Sequence, residues 1–251
     1  MEYFHDAARS LAAWQRLIET ASSTGAPQLS EARGRLGAAE QLDALRETDR
    51  SVAELRRVIA MAPARPVGAR GRAQVLLGRM FVHLGQRDEA MAAYRQAMAA
   101  PVPAGDPDRV VAQARLGLSR APERGPAEGY RLSLQGWRAF ENGDEATATT
   151  QLTRARAMAP ADATIRVRLA RVTAQAQPDR AMAEFDAVIA SRPQVAPMAL
   201  GAAYLWSGES LERRGLRTEA IDRYRAATRV FAGDSRMNDA ARAALARLGA
   251  K

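Results

Sequence analysis

Cysteine is absent from this chain of 251 residues, so disulfides and thiolate metal sites are excluded. Lysine occurs once, at Lys251, and nearly all the positive charge is arginine. Histidine occurs twice, at His5 and His83, too sparsely for a metal site of recognised spacing. Aromatic residues make up 5% of the chain although hydrophobic residues reach 47%. Much of the apolar content is therefore alanine, which builds a core through close backbone approach. No apolar run approaches the roughly 18 residues of a membrane span. The opening Met1-Glu-Tyr-Phe-His-Asp6 has neither a basic n-region nor an apolar h-region, so no signal peptide is read in it. A cytoplasmic protein is expected, or an exported or periplasmic one if the true N-terminus is missing.

Catalytic patterns are missing too. There is no Gly-Lys-Ser/Thr and no Gly-x-Ser-x-Gly. Gly34-x-x-Gly37 and Gly68-x-x-Gly71 lack the strand–helix context of a phosphate loop. The carboxylate pairs Asp88/Glu89 and Asp144/Glu145 open helices, where the macrodipole favours acids. An enzyme is not expected, and no catalytic, cofactor-binding or metal-binding residue is assigned.

The most informative feature present is a repeat. Gly78/Gly85/Ala90, Gly136/Gly143/Ala148 and Gly208/Gly215/Ala220 share one spacing. Tyr94, Leu152 and Tyr224 come four residues after the alanines, and Ala97, Ala155 and Ala227 three later. Self-similarity of this size predicts stacked helix-turn-helix units. Leu76, Leu77, Phe81 and Leu84 share a helical face, Gly85 ends that helix, and Pro101 and Pro103 end its partner. A shortened unit follows the second repeat, with Ile165, Leu169 and Ala170, a turn at Gln177-Pro178-Asp179, then Ala181, Phe185, Val188 and Pro193.

The ends are less regular. Leu36-Gly37, Leu42 and Leu45 suggest a first helix upstream, and Val52, Leu55, Val58, Ile59 and Pro63 its partner. The opening helix, with Leu11, Trp14, Leu17 and Ile18, reads either as the second helix of a unit whose first is missing or as a lone N-terminal helix. After Gly233-Asp234-Ser235, Met237, Ala241, Leu245 and Leu248 mark a final amphipathic helix that caps the array. Two Pro/Gly-rich stretches, 101–107 and 121–126, flank an extra helix carrying Val110, Val111, Ala114 and Leu118. The predicted organisation is N-terminal repeats over 1–103, a connecting helix with its linkers over 104–128, and C-terminal repeats with the cap over 129–251.

The pattern Leu77-Gly78-x2-Phe81-x3-Gly85-x4-Ala90-x3-Tyr94-x2-Ala97 resembles the tetratricopeptide repeat, as do the units Leu132–Pro160 and Tyr204–Ala227. About four units are recognisable and one, around Leu169, is degenerate because it lacks the turn glycine. Gln135 and Ser207 stand where that family prefers a large apolar residue. The resemblance implies an all-α fold, a right-handed superhelix of antiparallel hairpins. It also implies a concave groove, lined by the first helices, that takes extended peptides or partner helices. Projected onto this chain, the groove carries Arg72, Val75, Arg79 and His83, then Tyr130, Ser133, Trp137 and Phe140. Val167 and Arg171, and then Leu205, Glu209 and Glu212, follow. Trp137 sits one residue off the packed stripe, and its position fits either groove or core.

The Lys/Asn set with which some family members clamp a chaperone's C-terminal carboxylate is not found at these places. A non-catalytic scaffold for a protein or peptide partner is the leading expectation. Two alternatives stand beside it. The net charge of +9 and the run Arg154, Arg156, Arg166, Arg168 and Arg171 suit RNA or another anionic partner, although an Ala- and Arg-rich chain almost free of Lys also reflects GC-rich coding. The chain also reads as a sensor or docking segment of a larger signalling or exported protein. Oligomeric state is not read from the sequence.

Overall fold

The computed structural model describes residues 6–23, 28–61, 68–105, 109–119, 126–192, 194–230 and 234–250. Pro63, Pro107, Pro193, Gly233, His5, Lys251 and the stretch 121–125 lie outside them. The described residues form thirteen helices and no strand. They fall into two compact units, one of Ala7–Glu128 and one of Gly129–Lys251 together with Asp6.

The first unit contains α1 (Ala7–Ser23), α2 (Gln28–Ala44), α3 (Thr48–Ala60), α4 (Ala69–His83), α5 (Arg87–Ala99) and α6 (Val110–Ser119). Each helix packs on the next, and α6 packs on both α5 and α4. The second unit contains α7 (Pro126–Glu141, from Gly129 on), α8 (Glu145–Met158), α9 (Ala163–Thr173) and α10 (Pro178–Ala190). It continues with α11 (Pro197–Arg213), α12 (Arg217–Thr228) and α13 (Ser235–Arg247).

The glycines of the three repeats mark where the two helices of each hairpin meet. A Cβ built at Gly78 would stand 2.5 Å from the Tyr94 ring, one at Gly136 2.8 Å from Leu152, and one at Gly208 2.8 Å from the Tyr224 ring. Real side chains do not approach so closely, so each helix pair meets where only glycine fits. Ala90, Ala148 and Ala220 lie buried beside these contacts. Tyr94 is enclosed on a second side, because a Cβ at Gly117 of α6 would stand 2.3 Å from its ring. These are antiparallel helical hairpins, each closed by the packing of a glycine on one helix against a large side chain on the other.

The hairpin turns repeat as faithfully. Gly85, Gly143 and Gly215 have φ of 70°, 81° and 75°. The next amide donates back to the carbonyl five residues earlier in each: Gln86 to Phe81, Asp144 to Ala139 and Leu216 to Leu211. This is the Schellman closure, for which glycine is the residue of least strain. The α2–α3 turn makes the same bond, Glu47 to Leu42, but puts Arg46 in the left-handed region at φ 60°. A non-glycine residue there costs about 1–2 kcal/mol. That turn carries no glycine signal in the sequence, although its geometry is the same. The α9 helix instead ends on Ala174 in the right-handed region, and Pro178 opens α10.

The last helix caps the second unit. It packs on α12 and α11, and Ala241, Ala244 and Leu245 are buried there. Asp234 accepts from the Arg236 amide at 2.9 Å and caps its N-terminus. The Glu212 carboxylate joins three helices, accepting from the Tyr224 hydroxyl at 2.6 Å and from Arg247 at 2.7 Å.

Candidate functional site

Three aromatic residues of the second unit, Trp137, Phe140 and Trp206, meet on one face of α7, α9 and α11. Three pairs spaced three apart build it: Trp137/Phe140, Arg168/Arg171 and Trp206/Glu209. Side chains at that spacing project from the same side of a helix. Trp137 stacks on Trp206 with centroids 5.4 Å apart at 29°, and meets Phe140 at 5.3 Å and 36°. The Arg168 guanidinium lies 5.5 Å from the Trp137 centroid, and Arg171 lies 5.8 Å from that of Trp206. Arg168 is 5% exposed and donates to the Ser133 hydroxyl at 3.1 Å. A buried guanidinium needs such partners, and the ring face adds cation–π attraction. Arg171 is ion-paired to Glu209.

Trp206 is buried, whereas Trp137 and Phe140 are half-buried. Trp137 is therefore neither fully buried nor fully exposed. Part of it packs on the core formed by α9 to α13, and part remains open. The face carries paired charge beside the aromatics: Arg171 with Glu209, and Arg138 with Glu141 at 2.6 Å.

The other projected residues are placed as follows. Tyr130 and Ser133 are buried in the second unit, and Val75 is buried in the first, so their side chains serve packing. Val167 and Leu205 are likewise core. In the first unit, Arg72 is ion-paired to Glu40 at 3.0 Å and Arg79 is exposed. His83 Nδ1 lies 3.3 Å from Asp43 Oδ1. Burial pushes the Asp43 carboxyl up, but hydrogen bonds from His83 and Thr48 outweigh it and hold the group below its ordinary range. Glu212 is held low by Arg247 and then Tyr224, while burial and then Glu212 push the Tyr224 hydroxyl up.

Trp206 was not among the residues projected from the repeat, since its place in the unit is nominally a packing one. The available signal was its spacing from Glu209, three residues on. The basic run does not gather on one surface. Arg156 and Arg166 converge on Glu184, at 3.6 and 2.7 Å, whereas Arg168 and Arg171 turn to the tryptophans. Among the described residues no three His, Asp or Glu side chains are grouped to hold a metal ion, and no helix is long and apolar enough to cross a membrane.

No protein-family model and no curated protein matches the chain. Several solved structures do. MamA is 16% identical, over 76% of this chain and 93% of its own, with a TM-score of 0.36. YrrB, described as a TPR protein with an unusual peptide-binding site, is 16% identical over 88% and 93%, with a TM-score of 0.36. The TPR2AB domain of yeast Sti1, in its complex with pHSP90, is 14% identical over 96% and 95%, with a TM-score of 0.39. Superpositions this loose add nothing to what the chain's own crossings establish.

Proposed function

We propose that this chain is a non-catalytic protein-interaction scaffold, and that it holds a peptide or protein segment on the face of α7, α9 and α11. The observation that supports this reading is the half-open Trp137/Phe140 pair, backed by Trp206 and flanked by ion-paired arginines. Tryptophan and arginine dominate binding hot spots, and an aromatic centre with a polar rim is their usual setting. The partly exposed faces of Trp137 and Phe140 supply the apolar anchor. Arg171/Glu209 and Arg138/Glu141 supply the rim.

An anionic partner has less support, because Arg156, Arg166, Arg168 and Arg171 of the basic run are engaged within the chain. The test is capture of partners by the full-length protein, followed by titration of the recovered segment against wild type and Phe140→Ala. Affinity reduced about tenfold or more, with little dependence on salt, is the expected result. A steep log–log salt slope with no effect of Phe140→Ala would reverse the reading in favour of phosphate contacts.

A further inference from the structure

α8, α9 and α10 line an open pocket of about 190 Å³, away from the tryptophan face. The two sites use opposite sides of α9: Arg168 and Arg171 on one, Leu169, Ala170 and Thr173 on the other. The pocket follows from local sequence. Thr149 of α8 stands where the repeat places Met91 in α5 and Ile221 in α12, and Thr153 where it places Arg95 and Arg225. Two short side chains replace two long ones, and space remains beside the hairpin that lacks a turn glycine.

The lining is chemically uneven. Arg156 and Arg180 bring two guanidiniums, Thr149 and Thr153 bring hydroxyls, and the Thr173 hydroxyl already donates to the Leu169 carbonyl at 2.9 Å. Glu184 is the one carboxylate of the lining, and it already accepts from Arg166 at 2.7 Å. Arg156 donates from Nη1 to the Pro160 carbonyl at 2.7 Å and lies 3.6 Å from Glu184. Its buried Nε–H has no acceptor. Arg180 donates only to the neutral Gln177 amide, at 3.1 Å. Positive charge is thus in excess beside the apolar side chains of Leu169, Ala170 and Ala181.

We infer that this pocket binds a small carboxylate with a short apolar body, either a free short-chain acid or the glutamate side chain of a bound chain. The guanidiniums and the threonine hydroxyls match a carboxylate's acceptors. A phosphate dianion fits less well, since it would meet the Glu184 carboxylate in the same space. The apolar side chains suit the methylenes of the acid.

The test is an NMR titration of the full chain with butyrate, with N-acetylglutamate amide and with inorganic phosphate, observing the threonine methyls. Saturable shifts at Thr149, Thr153 and Thr173 are expected with at least one carboxylate, with Kd on the order of 1 mM. Response to both points to a free acid site, and response to N-acetylglutamate amide alone assigns the site to a partner's side chain. Arg156→Gln should weaken binding about tenfold. Arg180→Gln, at an exposed residue whose loss leaves the fold intact, should weaken it several-fold. The inference is overturned by the absence of saturable shifts with either carboxylate, by phosphate binding as tightly as they do, or by indifference to Arg180→Gln.

Discussion

The indole of Trp137 lies against that of Trp206, 5.4 Å between centroids and 29° between planes, although the two residues sit two hairpins apart in the chain. With Arg168 on one ring and Arg171 on the other, the pair forms a cation–aromatic–aromatic–cation cluster that joins α7, α9 and α11. Trp137→Ala should therefore lower stability by about 2–3 kcal/mol, less than for a fully buried aromatic. Phe140→Ala should cost about half as much. Urea unfolding of both variants checks the ranking, and equal losses would place the two rings in one environment.

The glycines divide into those that must be glycine and one that need not be. Gly117→Ala would put a Cβ 2.3 Å from the Tyr94 ring, and Gly208→Ala one 2.8 Å from the Tyr224 ring. Each should destabilise by about 1–3 kcal/mol through overpacking. Gly201, inside α11, has its nearest neighbours 4.0 Å from the same built atom. Gly201→Ala should stabilise by about 0.5–1 kcal/mol, because glycine is costly within a helix. Thermal or denaturant unfolding of the three variants tests both signs.

Removal of residues 234–251 should strip α13 from α11 and α12, exposing the apolar surface that Ala241, Ala244 and Leu245 cover. The Arg247–Glu212 pair would be lost with it. A lower Tm or aggregation is expected, as when a terminal cap is taken from a repeat array. Size-exclusion chromatography with melting curves would show whether the shortened chain remains monodisperse and equally stable, which would remove the capping role.

Acid should loosen the first unit through Asp43. Its carboxyl is held below the ordinary value of 3.8 because, despite burial, His83 and Thr48 hydrogen-bond it. A carboxylate depressed in the folded state stabilises fully above its unfolded pKa, and the contribution disappears as pH falls through the lower folded value. Stability carried by Asp43 is thus intact above about pH 4 and lost below it. Asp43→Asn should flatten that part of the acid limb in a pH series of denaturant melts. An unchanged acid limb would mean that the interactions with Thr48 and His83 carry no net linkage.

Local chemistry determined the elements of this protein. Helix-forming composition, glycine at the turn and a small residue three or four positions from a large one specify hairpins. They were legible because each acts within some twenty residues of chain. The same logic singled out Gly78, Gly136 and Gly208, which the structure sets against Tyr94, Leu152 and Tyr224. It was silent on Arg46, where Leu42 and Glu47 complete a glycine-type turn without glycine. Tertiary structure alone decided which projected residues stay open. Val75, Tyr130 and Ser133 share helix faces with groove positions yet are enclosed, because a neighbouring helix covers part of a face that the repeat register treats as uniform. It also brought Trp206 to Trp137 and sent Arg166 and Arg168, adjacent in one basic run, to different surfaces. Helical periodicity fixes a side chain's direction about its own axis, and only the packing of the next helix decides what it meets there.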